Sequence, residues 1–349
     1  MKKETKLNIL AIVIFIGLLF VFNKTFDSYK IRILNLCAIY IVLGLSMNLI
    51  NGFTGLFTLG HAGFMAVGAY TSALLTMSPA MKEMNFFLKP IVPWLANVEW
   101  PFLPALIMAG VMAGIVGFLI GAPILKLRDD YLAIATLGFG EILRVIFTNT
   151  QSLTNGALGL KSVPNYTNVW WSFGTAIFTI IFMVFLIKGS YGRALKAIRE
   201  DEIAAEAMGI NLFKHKVMSF VMGAFFAGVG GALLGNLLGT IDPMMFRFIL
   251  TFNILLIVVL GGIGSITGTV ISAVVVTVAM EGLRVLDGDI DIGSFHIEGI
   301  PGMRMVVFSV LLMLVILFYN QGLMGTNELT WNRILGKKRL QKSLERQVK

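Results

Sequence analysis

Side chains able to do chemistry are few in this 349-residue chain, and their spacing limits what they can do. Glu141 and Arg144 stand three residues apart in an otherwise apolar run, which puts a carboxylate and a guanidinium on one helical face within pairing distance. Such a pair serves either as an electrostatic element beside a polar path or as a clamp between helices, and the spacing leaves both open. Asn149 and Thr150 follow near the end of the same run, where they can hydrogen-bond a passing zwitterion or simply cap the helix. Asn48, Asn51, Thr54 and His61 flank a glycine-rich break between two apolar runs. A packed, hydrogen-bonded imidazole is the plainer role for His61, and a pathway wall shared with Asn51 and Thr54 is the alternative. His61, His215 and His296 are scattered, and the lone Cys37 has no partner. No disulfide, metal centre or Ser-His-Asp constellation can be assembled from them, so neither catalytic nor metal-ligating residues are expected.

Hydropathy sets the elements that must hold these residues. The chain is 57% hydrophobic and 13% charged, with a mean hydropathy of +0.84, whereas a soluble surface needs about one-quarter charged residues. Apolar runs at residues 7–22, 31–50, 55–77, 103–125, 131–147, 170–187, 217–239, 249–265, 267–285 and 303–319 predict an all-α polytopic membrane protein of about ten transmembrane helices. The net charge of +9 does not point to nucleic acid, because the basic residues lie in tails and loops between these runs. Lys2, Lys3 and Lys6 precede the first run, six more basic residues fill the 188–216 loop, and others crowd the 331–349 tail. A ten-span count puts all three segments on one side, so both termini are expected in the cytoplasm. Residues 1–330 are then one transmembrane domain, and the first run, with no small-residue cleavage site after it, is expected to be an uncleaved helix. The 286–302 segment, with Asp287, Asp289 and Asp291 and no Lys or Arg, is expected outside, and Trp94, Trp100, Trp170 and Trp171 are placed as interface anchors.

Small residues recur at four-residue spacing, as in Gly110/Gly114, Gly117/Gly121, Gly231/Gly235/Gly239 and Gly264/Gly268, which predicts close helix packing. The stretch Gly262 to Gly268 lacks the Lys-Ser/Thr of a phosphate loop and is expected to be a tight turn between two spans. In the 188–216 loop, Asp201 is a good N-cap, Glu202 suits a first turn and Gly209 suits a left-handed end. About two turns of surface helix are expected there, with Ala204, Ala205 and Ala207 admitting a partner and Ile203 and Met208 filling a groove. A solvated linker whose charges only fix orientation is the plainer alternative.

Three segments carry a resemblance. Asn51 to Phe64 (NGFTGLFTLGHAGF), Leu127 to Ile142 (LRDDYLAIATLGFGEI) and Gly192 to Glu202 (GRALKAIREDE), the last followed by Ala204-Ala205 and Gly209, resemble the branched-chain amino acid ABC permease family, in its longer subunit type. The likeness runs from about residue 35 to 320. Ala204-Ala205-x-x-x-Gly209 resembles the core of the coupling loop of ABC importer permeases, although Ile203 stands where that motif has Glu, acids stand instead at Glu202 and Glu206, and the later I-x-L-P is missing. Thr154-Asn155-Gly156-Ala157-Leu158-Gly159 departs from an expected Thr-Gly-Gly-x-x-Gly turn. The resemblance implies a multi-pass inner-membrane permease paired with a shorter sister permease, two ATP-binding cassette subunits and an extracytoplasmic substrate-binding protein. It implies that ATP is bound by those partners, since this chain has no G-x-x-x-x-G-K-[ST] and needs no cofactor. It also implies ATPase coupling through Arg199, Glu200, Asp201, Glu202, Ala204, Ala205 and Gly209, and a pathway near Asn51, Thr54, His61, Glu141, Arg144, Asn149 and Thr150.

Related permeases carry urea and short amides, so the substrate class stays open between these and hydrophobic amino acids. An ion-coupled secondary transporter would need titratable groups at the membrane midplane, for which Glu141 is the obvious candidate. A membrane enzyme would need polar groups converging at one interface, and the spacing offers none.

Overall fold

In a bilayer the backbone must close its own hydrogen bonds, so apolar runs of this length become helices. The computed structural model describes residues 17–125, 129–287, 290–292, 295–297, 302–318, 322–325 and 327–329. A helix over residues 17–25 (α1) is followed by α2 (Ser28–Asn48), which runs directly into a π-helical turn, Leu49–Phe53. Then come α3 (His61–Thr76), α4 (Pro79–Asn85), α5 (Pro93–Ala96), α6 (Phe102–Ile124), α7 (Asp129–Asn149) and α8 (Gln151–Thr154). The second half holds α9 (Val169–Lys188), α10 (Ser190–Glu200), α11 (Glu202–Ala207), α12 (Leu212–Leu238), α13 (Phe248–Gly261), α14 (Ile266–Gly282) and α15 (Met303–Phe318). Ile290–Ile292 and Phe295–Ile297 pair as a short antiparallel hairpin, β1–β2, between α14 and α15. Ser28–Phe53, Phe102–Ile124, Tyr131–Asn149, Val169–Lys188 and Leu212–Leu238 are long and apolar enough to cross a membrane, and α13 and α14 are shorter apolar helices.

The chain is thus an all-α polytopic membrane protein. Two boundaries differ from expectation. The third helix begins at His61 rather than near residue 55, because residues 54–60 form an irregular break. The helix of the eighth apolar run, α13, ends at Gly261 rather than 265, because Gly262 and Gly264 take φ of +109° and +84°, left-handed values that stop a helix. The N-terminal lysines, Ser294 and the 331–349 tail lie outside the described residues.

The centre of the bundle is α12, which packs on α3 and α6 through missing side chains. A Cβ on Gly68 would fall 2.0 Å from the carbonyl oxygen of Gly228, and one on Gly231 would fall 2.1 Å from that of Met65. Gly121 receives the ring of Phe220, and Gly117 receives Ala224. These approaches realise the four-residue glycine spacing, since dispersion between closely packed backbones holds helices together where lipid removes the hydrophobic drive. The second hub is α2, which packs against α14, α12, α9 and α13. By contrast, only 11% of the apolar window of α7 is buried.

The loops are tied by single polar residues. Lys82 is fully buried and donates to the carbonyls of Leu95 (2.9 Å) and Val98 (2.5 Å). Burial pushes its ammonium pKa down, and the charge of Glu99 acts against that shift. Asn85 clasps the backbone of Lys161 in both directions. In the loop that departs from the family turn, Asn155 takes φ +60° and donates to the Gly159 carbonyl at 2.7 Å. Asn is among the few residues with a side chain that tolerate that conformation, so it can stand where glycine was expected.

Gly68→Ala should lower the thermal unfolding midpoint of the detergent-purified protein by several degrees, because its methyl would overlap the Gly228 backbone and overpacking costs about 1–3 kcal/mol. Gly138→Ala on α7, where nothing lies within 4 Å, should leave the midpoint unchanged or raise it. Equal midpoints for both variants would show that the α3–α12 contact does not limit stability.

Candidate functional site

The polar 188–216 loop folds as two helices. In α10, Leu195 and Ile198 face inward, and Gly192 lies so close to α9 that a Cβ would meet the Ile187 backbone at 2.4 Å. Asp201 ends α10 and caps α11, accepting from the backbone N–H groups of Ile203 (2.9 Å) and Ala204 (3.0 Å). Gly209, at φ +83°, turns the chain away, and the N–H of Ile210 closes onto the Ala205 carbonyl at 3.1 Å. The two turns expected from the cap residues are present. Ile203 and Met208 are 82% and 83% exposed, and Ala204 and Ala207 are exposed beside them. Ala205 corrects the expected contact face: at 3% exposure it seats α11 on its own protein rather than facing a partner. An ion pair between Glu202 and Lys216 fastens α11 to the first turns of α12. Nearby, Tyr191 stacks on His215 and donates to its carbonyl at 2.9 Å, and burial raises the phenol's pKa.

One residue of α10 reaches further. The Arg199 guanidinium donates through Nη1 to the Gly52 carbonyl in the π-helical turn at 3.0 Å and pairs with Glu200. It fits only because two neighbours have no side chain: a Cβ on Gly55 would lie 2.9 Å from its Cγ, and one on Gly264 would lie 2.7 Å from its Nη1. Asn48 completes the junction by accepting from Gly264 N–H (2.9 Å) and donating to the Ser265 carbonyl (3.0 Å) and the Thr269 hydroxyl (2.8 Å). The Glu328 carboxylate caps α14, accepting from Ile266 N–H (2.6 Å), Thr267 N–H (3.0 Å) and the Thr267 hydroxyl (2.7 Å). Four segments distant in sequence therefore meet at one knot beside α10.

The knot continues into the break after α2. Thr54 donates to the Leu49 carbonyl and to Ser219 Oγ, both at 2.9 Å. Asn51 Oδ1 accepts from Thr58 N–H at 3.3 Å, while its Nδ2 is buried without a partner. His61, fully buried, shares a 2.7 Å hydrogen bond between Nε2 and Ser46 Oγ, and its Nδ1 has no partner. Thr136 of α7 receives the Leu59 N–H of the break, and Thr251 of α13 receives the Ala62 N–H in the first turn of α3. Asn51, Thr54 and His61 thus share one polar seam running through the bundle.

Glu141 and Arg144 lie on a different face. Arg144 Nε donates to Glu141 Oε2 at 2.6 Å, the Arg144 and Glu141 side chains are 24% and 34% exposed, and Arg144 also approaches Met244 Sδ at 3.6 Å. Asn149 and Thr150 donate from their side chains to carbonyls of their own helix, Val145 (2.8 Å) and Ile146 (2.7 Å). The spacing of residues 267–285 does not single out Glu281, yet it accepts from the Tyr29 hydroxyl at 3.0 Å and lines a cavity of ≈ 180 Å³ with Tyr40, Asn253 and Thr277. Ser46, Ser219, Thr136 and Thr251 also escape a sequence reading, because lone hydroxyls in apolar helices usually bond their own backbone. Among the described residues no group of His, Cys, Asp and Glu could hold a metal ion.

A family profile described as "Branched-chain amino acid transport system / permease component" matches residues 29–333. The chain is 35% identical over 288 residues to the high-affinity branched-chain amino acid transport system permease protein LivM of Escherichia coli K12, covering 73% of this chain and 63% of that protein. It is 26% identical over 317 residues to a probable LivM of Methanocaldococcus jannaschii, covering 82% and 90%. It is 25% identical over 308 residues to the permease protein LivH of Salmonella typhimurium, covering 83% and 92%. The match thus spans less than two thirds of the length of the Escherichia coli LivM protein. No solved structure matches. With a profile match over most of its length, the chain belongs to the family of branched-chain amino acid transport system permease components.

Proposed function

We propose that this chain is one permease subunit of an ABC importer that moves branched-chain, hydrophobic amino acids across the inner membrane, with ATP hydrolysis supplied by separate subunits. The observation that carries this reading is α11, a capped helix displaying Ile203, Ala204, Ala207 and Met208, joined through α10 and Arg199 to the broken end of α2. A partner that moves α11 moves a helix break rather than a loop tip. The companions are a sister permease, two ATP-binding cassette subunits and an extracytoplasmic binding protein. In this arrangement ten spans put both termini and the 188–216 loop in the cytoplasm, residues 1–330 form one transmembrane domain, and 331–349 form a basic cytoplasmic tail.

The face of α7 bearing Glu141 and Arg144 supports a place on the translocation path. A charge at the middle of a helix facing lipid costs about 2.5–3.5 kcal/mol, so a partly exposed pair there requires water or protein opposite it. In the assembled transporter that surface faces the sister subunit across the path. The seam of Asn51, Thr54 and His61 then acts as the hinge behind the path rather than as its lining, because all its contacts are internal.

Three outcomes are expected. Arg199→Ala should reduce ATP-driven leucine uptake in vesicles at least tenfold while the ATPase subunit still co-purifies, and Arg199→Lys should restore little, since a lysine cannot reproduce the planar guanidinium between the two glycines. Wild-type uptake by Arg199→Ala would rule out transmission through Gly52. Gly209→Val should lose co-purification of the ATPase with normal membrane insertion; space exists for the side chain, so the penalty is the left-handed conformation alone, about 1–2 kcal/mol. Retained ATPase and normal uptake would make 202–209 a charged linker. Glu141→Ala should impair uptake more than Glu141→Gln, because the alanine leaves Arg144 without an acceptor. Indistinguishable, undiminished uptake by the two would make the pair dispensable.

A further inference from the structure

A second feature of the cytoplasmic end has no place in this coupling. Between α9 and α14 a cavity of ≈ 460 Å³ opens beside the α10 junction, with Lys188 and Lys196 at its mouth and Val184, Ile187 and Ile271 inside. Both lysine residues are exposed, and the Lys196 Nζ lies over the Phe53 ring at 5.8 Å from its centroid. Among the described residues lining the cavity the one acid, Glu328, is occupied by its three hydrogen bonds to the start of α14, where the helix dipole offsets its charge. The mouth therefore carries a net positive field.

The cavity does not end at its apolar floor. It shares Ile180 and Val270 with a larger trough of ≈ 740 Å³ that continues along α9 to Phe173 and is walled by α1, α2 and α14. From Lys188 to Phe173 a helix rises about 22 Å, more than the roughly 15 Å of one bilayer leaflet. A long apolar slot at membrane depth, closed at its cytoplasmic end by two cations, matches an anionic phospholipid in both charge and shape, because basic pockets between helices on that side collect acidic headgroups.

We propose that the α9–α14 groove is a binding site for an anionic phospholipid of the cytoplasmic leaflet, its phosphate held by Lys188 and Lys196 and an acyl chain lying along Ile180 and Val270. The site rests on the orientation proposed above but not on the transported substrate. Its lysine residues belong to the end of α9 and to α10, so the bound headgroup spans the joint between the membrane domain and the helix that carries Arg199.

The test is native mass spectrometry of the full-length protein, purified in detergent with its co-purifying subunits and titrated with phosphatidylglycerol or phosphatidylcholine of the same acyl chains. At about fivefold per lysine, phosphatidylglycerol should be retained roughly 25-fold better than phosphatidylcholine. Lys188→Gln with Lys196→Gln should erase that preference, and Ile271→Trp, at a partly exposed position in the groove, should weaken both lipids. Lipid binding is read directly, so loss of transport by any variant does not bear on the outcome. Equal retention of the two lipids by the wild type, or an unchanged preference in the double variant, would overturn the site. Displacement of the lipid by inorganic phosphate at equal concentration would make it a free-anion site instead. Adducts appearing only after the other subunits are stripped away would make the groove a subunit interface and likewise overturn it.

Discussion

The half of this bundle that carries α10 is organised around the space that two absent side chains leave for one guanidinium. Arg199 reaches the Gly52 carbonyl only because Gly55 and Gly264 are bare, and both glycines hold positive φ values that a residue with a Cβ resists. The hydrogen bond is strong because its donor is charged and half-withdrawn from water, and its acceptor is a carbonyl that the π-helical turn has freed from regular pairing. With it, a surface helix, a helix break and the turn between α13 and α14 share one point of attachment. Without it, α10 would touch the membrane domain through Leu195, Ile198 and the close approach of Gly192, contacts that allow sliding more easily than a directional bond does.

How much of this can be read from sequence depends on the range of each interaction. The cap at Asp201 and the left-handed Gly209 are legible because donor and acceptor lie within a few residues, so residue type alone specifies the geometry. The Glu141–Arg144 pair is legible for the same reason. Arg199 and Gly52 are 147 residues apart, and a basic residue in a cytoplasmic loop is ordinarily a topology signal, so nothing local distinguishes it from its neighbours. The inward position of Ala205 escapes notice because an alanine-rich two-turn helix has no clear apolar face to orient it. Helix existence follows hydropathy closely, but boundaries do not: the break at 54–60 is apolar enough to pass as span, and only its glycines and hydroxyls argue otherwise.

The burial pattern separates the helices by role. In α12 and α2 every turn meets protein, and the glycines of α12 allow backbone contact that no side-chain repacking could replace. In α7 most of the surface lies open, and that surface carries the intramembrane ion pair. A well-buried inner pair and an outlying charged helix thus differ in how much of their surface the rest of the chain covers. Thr136 ties α7 to the break through the Leu59 N–H, and Thr251 of α13 ties the first turn of α3 through the Ala62 N–H.

The unpartnered nitrogens in the seam have a thermodynamic meaning. Asn51 Nδ2 and His61 Nδ1 are each buried with no protein partner, and a buried polar group without one costs about 1–3 kcal/mol. Any rearrangement of the break that gives these groups hydrogen-bond partners recovers that free energy and so narrows the gap to a second conformation. A difference of a few kcal/mol is the scale on which two states of one chain can both be populated.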